Sequence, residues 1–405
     1  MCKITKENDS LQRQTENKDE DSQKIQGNKN IPELRFPEFE GEWITYKLCD
    51  VVTRIIRKNK NLETKRPLTI SAKYGLIDQI EFFDKYVASK NLKGYYLLKK
   101  GEFAYNKSYS NGFPYGAVKR LDLYNQGAIS TLYICFEITN KINSNFLKIY
   151  FDSNKWNKEM YKIAVEGARN HGLLNIPIND FFNTKHLFPS ISEQEKIADF
   201  LSAIDKKIGF MEKEINKQSK YMKKIRENIL NDNSDNSNKV QLKEICIINK
   251  GKQLNKTNMI NDGKYYVLNG GKTPSGFTNS WNVPENTISI SEGGNSCGFV
   301  NYNVQKFYCG GHCYYLTNIS DEIDPLLLYH CLKMNENKIM NLRVGSGLPN
   351  IQKKDLEKYK LYIPTKNHEK ITYLLNNINL KIDLNKEKLN HLKQFKKGLL
   401  QKMFC

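Results

Sequence analysis

The chain repeats itself, and that repeat limits what it can fold into more than any local motif does. Gly172-Leu173-Leu174-Asn175-Ile176 matches Gly347-Leu348-Pro349-Asn350-Ile351 at an offset of 175. Thirteen residues after each Asn–Ile comes a proline, Pro189 and Pro364, and each leads into a Glu-Lys-Ile, at 195–197 and 369–371. The offset is by then 174, and it carries Leu201, Ile204, Lys207 and Ile208 onto Leu375, Ile378, Lys381 and Ile382. Each copy closes on a long helical pattern. In the first, Ile208, Met211, Ile215, Gln218, Met222, Ile225 and Ile229 step by three and four, the seam of a coiled coil. In the second, Ile382, Leu389, Leu392, Leu399 and Met403 hold the frame, with Asn385 and Lys396 at two seam positions and Phe395 beside it. Two imperfect seams in one chain are expected to pair with each other; amphipathic helices packed on a globular core are the alternative.

The expected fold is α+β: two domains of short strands, each followed by a long helix. The helices pair as an antiparallel intramolecular coiled coil with pseudo-two-fold symmetry. Residues 1–30 carry six basic and six acidic side chains and almost nothing apolar, which predicts a disordered extension. A first globular domain spans 31–189, a spacer helix 190–231, a polar linker 232–238, a second domain 239–364 and a C-terminal spacer helix 365–405. A helix is expected around 145–166 and its counterpart around 325–341, before loops at 167–175 and 345–350. About 39 residues of helix, Glu193 to Asn231, make a rod of roughly 58 Å at most, one or two turns of duplex.

Charge suggests the partner. Lys and Arg number 63 against 44 Asp and Glu, a formal excess of +19 that lies wholly after residue 30. Such an excess favours a polyanion, nucleic acid or an acidic membrane face. No apolar run approaches the roughly 18 residues of a membrane span, and no signal-peptide run opens the chain, so a cytoplasmic, membrane-free protein is expected. Most of the nine cysteines stand alone in apolar contexts, as at Cys49, Cys135 and Cys246, the pattern of buried reduced thiols.

Catalytic elements are missing. No Asn/Asp-Pro-Pro-aromatic element for amine methylation occurs, no complete Gly-x-x-x-x-Gly-Lys-Ser/Thr phosphate loop (Gly271-Lys272-Thr273 has Tyr266 in place of the first glycine) and no convincing Asp…Glu-x-Lys pattern. The expectation is a non-catalytic chain that binds no cofactor. Cys309-Gly310-Gly311-His312-Cys313, with Cys297 upstream, has ligand types for zinc, but a packed strand end with an incidental histidine is the better reading.

Hydrogen-bonding groups on glycine-punctuated loops mark the candidate DNA contacts. In the first domain these are Lys107, Ser108, Tyr109, Asn111 and Tyr115, followed by Arg169, Asn170, His171 and Asn175. In the second they are Glu292, Asn295, Ser296 and His312, followed by Arg343, Ser346 and Asn350. Asn pairs bidentately with adenine, Lys with guanine or phosphate, and Glu292 has the chemistry to accept from cytosine N4. An ordinary surface hairpin or turn would have the same composition.

Several segments resemble one family. Pro32-Glu33-Leu34-Arg35-Phe36-Pro37-Glu38-Phe39 followed by Trp43 and Lys47-Leu48, the two Gly-x-x-Asn-Ile segments, and Ser192-Glu193-Gln194-Glu195-Lys196-Ile197-Ala198 are similar to type I restriction-modification specificity subunits, the HsdS family. So is the tail Lys397-Gly398-Leu399-Leu400-Gln401-Lys402-Met403-Phe404; together these segments cover about residues 31–405. The resemblance implies that each domain is a target-recognition domain reading half of a bipartite double-stranded DNA target. It also implies that the helices dock two methylation subunits, which restriction and motor subunits join. S-adenosylmethionine, ATP and magnesium would then belong to those partners. Ile208, Met211, Ile215, Met222, Ile225, Ile382, Leu389, Leu392 and Leu399 are the candidate partner-binding helix residues. The second helix start, Asn367-His368-Glu369-Lys370, lacks the Glu-Gln pair of 193–194, a departure from the family pattern that leaves equal docking at the two helices open. The rival reading is a stand-alone two-headed DNA-binding regulator or architectural protein.

Overall fold

The computed structural model describes residues 30–72, 74–85, 88, 89, 91–169, 173–230, 237–345 and 347–405; for 165–169 and 173 only the backbone is described. The expectation of disorder over 1–30 therefore lies outside the described residues, save Asn30, and so does the linker over 232–236. The chain forms two compact units, one of residues up to Gly209 with Asn390–Cys405, the other Phe210–Leu389.

The first unit opens with β1 (Ile44–Lys47), α1 (Leu48–Val51), β2 (Val52–Ile55), β3 (Leu68–Ser71), β4 (Gly75–Asp78), α2 (Gln79–Phe83) and β5 (Tyr96–Lys99). It continues through β6 (Phe103–Asn106), β7 (Ala117–Arg120), β8 (Gln126–Ile129), β9 (Ile134–Ile138), α3 (Ser144–Asp152) and α4 (Asn157–Ile163). Then come β10 (Val165–Arg169), β11 (Leu173–Asn175), α5 (Ile178–Asn183), β12 (Lys185–Phe188) and the long α6 (Ile191–Leu230). Its main sheet has the order β2-β9-β6-β7, all antiparallel. One face of that sheet buries Phe103 stacked on Phe136, ring centroids 5.3 Å apart, against Phe146, Trp156 and Phe181.

The second unit holds β13 (Ser237–Gln241), α7 (Leu242–Ile245), β14 (Ile247–Lys250), β15 (Tyr265–Leu268), β16 (Gly276–Thr278) and β17 (Thr287–Ser291). β18 (Val300–Asn303), β19 (Tyr308–Cys309), β20 (Cys313–Thr317), α8 (Pro325–Met334), α9 (Glu336–Met340), α10 (Lys353–Glu357), β21 (Lys360–Pro364) and α11 (His368–Lys402) follow. The main sheet is β14-β20-β17-β18, the same order as in the first unit. The likeness extends to detail: β1 pairs with β12 as β13 pairs with β21, and Asp50 and Glu244 each accept the backbone N–H of the residue before a one-turn helix, at 2.8 and 2.7 Å. A repeat seen in sequence mainly over the C-terminal part of each copy thus begins at the first strand.

Four expectations need correction. The helix expected over 145–166 breaks at Ser153, whose hydroxyl donates to the Tyr150 carbonyl at 2.6 Å, and Asn154 takes a left-handed φ of 63°. Its counterpart over 325–341 breaks at Asn335, whose amide caps the Cys331 carbonyl at 2.9 Å. Within the 167–175 loop the described residues are strand, β10 pairing antiparallel with β11, with Val165 opposite Asn175 and Arg169 opposite Leu173. Ser237 and Asn238, placed in the linker by composition, begin β13 opposite Pro364 and Ile363.

The two long helices run antiparallel. In the second unit Asn385 donates to Gln218 at 3.0 Å and Arg226 to Asn379 at 3.4 Å, rising along one helix as it falls along the other. In the first unit Lys396 pairs with Asp205 at 2.6 Å. The polar seam positions Gln218 and Asn385 therefore satisfy each other, a pairing that fixes register.

Candidate nucleic-acid interface

Register puts the candidate loops at one end of each main sheet. In the first unit Cys135 lies opposite both Ile55 and Ala104, so β2 and β6 leave the sheet at the same end as the β6–β7 loop. That loop closes on Gly116, at φ +79°, where a Cβ would sit 2.0 Å from the Asn106 carbonyl oxygen; only glycine fits. Its tip is a turn with two backbone bonds between Ser110 and Phe113, and Gly112 takes φ +81°. The tip leaves Tyr109 61% exposed and Asn111 exposed, while Tyr115 packs partly on the core and its carbonyl accepts from the Tyr105 hydroxyl at 2.6 Å.

Lys107 ties this loop to the next candidate segment. Its carbonyl accepts from Leu174 N–H at 2.9 Å and its ammonium donates to the Ile176 carbonyl at 3.3 Å, with burial lowering its pKa. Lys107 is thus partly committed to the fold. Ser108 is half-buried, its N–H bonded to Asn106 Oδ1 at 3.1 Å. Asn175 is exposed at the end of β11. Arg169 lies on β10 with its side chain outside the described residues, as are Asn170 and His171 entirely.

The second unit brings its two segments together more tightly. Val344 and Asn350 exchange backbone bonds of 2.8 and 3.0 Å, Gly294 N–H donates to Pro349 at 3.0 Å, and Ile351 N–H donates to the Glu292 carbonyl at 2.8 Å. Asn295, His312 and Arg343 are exposed at this cluster and Ser296 and Asn350 half-buried; Ser346 lies outside the described residues. The His312 N–H is held by Asn269 Oδ1 at 3.2 Å, and its carbonyl accepts from Glu292 N–H at 3.0 Å.

Glu292 is turned inward. Its carboxylate is 9% exposed, with Oε1 taking Lys250 Nζ at 2.7 Å and the Tyr314 hydroxyl at 3.1 Å, and Oε2 buried. It faces inward because the cluster needs an anion to hold Lys250, the group that does reach the surface. Tyr314, its hydroxyl pKa raised by burial and by that carboxylate, also lies 3.0 Å from the Ile351 carbonyl. Ile176 and Ile351 are repeat equivalents, so the same carbonyl is capped by a lysine in one unit and a tyrosine in the other.

Lys250 and Asn269 went unnoticed in the sequence because neither belongs to a motif. Matching β14 to β2 would have found Lys250, which stands opposite Tyr314 at the sheet end. The Cys309–Cys313 turn is a packed strand end: both thiols are buried, and Cys309 Sγ lies 3.5 Å from the Cys313 carbonyl. No group of three or more metal-ligating side chains occurs among the described residues, and no helix there is long and apolar enough to cross a membrane.

Of the seam residues, Ile215, Met222, Ile382 and Leu399 are buried within the fold, and Ile208, Met211, Ile225, Leu389 and Leu392 are half-buried. The helices expose Phe210, Tyr221, Leu380, Leu384 and Phe395, between 51 and 66% accessible.

Residues 234–394 match the type I restriction modification DNA specificity domain. A protein of Mycoplasma pneumoniae described as a type I specificity subunit is 41% identical over 129 residues, and one of Mycoplasma genitalium 33% over 140. The S subunit of a type I restriction-modification system from M. genitalium has the same fold, with a TM-score of 0.66 at 19% identity over 93% of this chain and 99% of that one. Residues 234–394 thus carry a type I DNA specificity domain, and the chain has the fold of that S subunit. A chain from work on complex assembly of the type I restriction-modification system shares the fold more loosely, TM-score 0.50 at 16% identity over 91% of this chain and 98% of that one. The aligned segments are 32 and 34% of this chain and span about a third of each curated relative, 34 and 36%. In this specificity-subunit fold the sheet ends carry exposed donors and acceptors, whereas the buried polar groups nearby are braces.

Proposed function

We propose that this specificity subunit reads a bipartite double-stranded DNA target, each unit taking one half, and is itself non-catalytic. One observation carries the reading. The same four-strand order occurs twice, and its equivalent ends present different side chains, Tyr109 and Asn111 in one unit and Asn295, His312 and Arg343 in the other. A shared scaffold with divergent hydrogen-bonding groups is what two half-sites of unlike sequence require. Two methylation subunits dock on the helices at their exposed apolar residues, and restriction subunits join them. These partners carry out adenine-N6 methylation and cleavage in the cytoplasm, bringing S-adenosylmethionine, ATP and magnesium.

The test is to co-express the chain with its methylation subunit and map adenine methylation across the host genome by single-molecule sequencing. A split motif that appears only with the chain is expected, with one half altered by Asn111→Ala and the other by His312→Ala. A chain that binds DNA tightly alone, fails to bind the methylation subunit and directs no methylation would instead be a stand-alone regulator.

A further inference from the structure

We propose that a cleft beside β2 in the first unit clamps the DNA phosphodiester backbone; this rests on the DNA-reading assignment above. The cleft, about 570 Å³, is lined by Arg54, Ile55, Ile56, Arg57, Lys58, Lys60 and Glu137. Four cations face one carboxylate. Arg57 is spoken for by Glu102, both of whose oxygens lie 2.8 Å from its Nη2. Once Glu137 and Glu102 are set against the four, two positive charges remain.

The cations sit on anchored backbone. Leu97 N–H donates to the Arg57 carbonyl at 2.8 Å and Asn59 N–H to Tyr95 at 3.0 Å, while the fully buried Asn59 amide donates to the Thr64 carbonyl at 2.9 Å. Lys58 donates to the Gly94 carbonyl at 2.9 Å and lies 4.1 Å over the Tyr96 ring, which fixes its position with no carboxylate partner among the described residues. Arg54 and Lys60 are exposed and make no ion pair among the described residues. A cationic cleft on a rigid edge suits a polyanion better than a flexible tail would, because little backbone order is left to impose on binding.

Sheet geometry decides which polyanion. The cleft lies just past the end of β2, and the Tyr109–Asn111 tip just past the end of β6, at the same end of one sheet with β9 between them. Two strand spacings separate the strand ends from which they spring, about 10 Å, comparable to the ~12 Å width of a major groove. A loop seated in the groove therefore leaves the cleft on the bordering backbone. The neighbouring cleft around Lys65 and Arg66 has no such surplus, since Arg66 pairs with Asp78 at 3.3 Å and stacks 4.1 Å over Tyr124.

The test uses the complex with methylation subunits and measures binding of the methylated-motif duplex and of an unrelated duplex across a salt series. Arg54→Gln with Lys60→Gln should weaken both duplexes alike and make the plot of log affinity against log salt shallower by about one for each cation removed, the methylated motif staying the same. Arg54→Lys with Lys60→Arg should keep the wild-type slope. An unchanged slope in the glutamine variant overturns the clamp. So does a changed motif, which would make these residues base readers, or lost assembly with DNA binding intact, which would make the cleft a protein interface. A wild-type complex that bound no duplex at all would instead remove the DNA-reading assignment itself.

Discussion

The two units join their helices to their strands in the same place and by opposite means. In the first, the start of α6 is pinned by charge and aromatic packing. Glu193, 1% exposed, accepts from Arg35 at 2.7 and 2.8 Å and from Trp43 Nε1 at 3.3 Å, while Gln194 donates to the Pro189 carbonyl at 2.9 Å and accepts from Asn143 N–H at 2.8 Å. Phe404 closes the same junction against Trp43, Phe146 and Tyr150. In the second unit the equivalents of Glu193 and Gln194 are an exposed Asn367 in left-handed backbone and a half-buried His368, and α11 starts only there. Phe404 is replaced by Leu230, and beside it Arg226 meets His330 Nδ1 at 3.2 Å, with Arg226 Nε and His330 Nε2 buried and unpaired. The Glu-Gln pair of the first helix is thus a brace to its own unit, and its loss from the second changes a junction inside the fold.

Four measurements would break or sharpen this contrast, and the largest effect should come from the aromatic plug. Phe404→Ala should cost about 3–5 kcal/mol in denaturant unfolding, and Leu230→Ala about 2–5. A tolerated Phe404→Ala would mean that the tail does not close the first junction. Glu193→Ala strands Arg35 and the Trp43 indole, and breaking a buried pair of this kind costs roughly 3–5 kcal/mol. If the loss were no greater than for an exposed ion pair, the brace would be ornamental.

Acid should act on both units through buried neutral histidines. Burial lowers His186 to about 4 and His330 to about 3, in the latter case with help from Arg226. Because the unfolded chain takes up these protons near pH 6.5 and the folded chain does not, stability present above pH 6.5 drains away as pH falls towards those values, by about 3 kcal/mol for His186 alone. His186→Gln should flatten the stability profile between pH 6.5 and 4; an unaltered slope would place the acid sensitivity elsewhere. The smallest change is expected where the polar cluster is least satisfied. Arg226→Met with His330→Leu should leave stability within about 1 kcal/mol or raise it, since apolar groups of similar size replace an ion with an unmet hydrogen-bond demand. A loss above 3 kcal/mol would show that cluster to be as well braced as its counterpart.

Sequence exposed what is periodic or local. The seam from Ile208 to Ile229 steps by three and four, and its two amides, Gln218 and Asn385, find each other as paired seams require. It hid what is assembled from afar. Arg35 meets Glu193 across 158 positions, and Glu292 meets Lys250 across 42, so a carboxylate with the right chemistry for a base edge was indistinguishable from one turned inward. The breaks at Ser153 and Asn335 were invisible for another reason. No proline or glycine marks them, and a side chain bonded to its own preceding turn does the interrupting.

The capped carbonyl of Ile176 and Ile351 bears on how such a molecule diversifies. The acceptor is main chain, so any residue at that position supplies it, and Lys107 and Tyr314 show that its donor can arrive from different strands. At this point drift in the loops need only keep one donor within reach of one oxygen, so the side chains beside it can change while the segment stays moored.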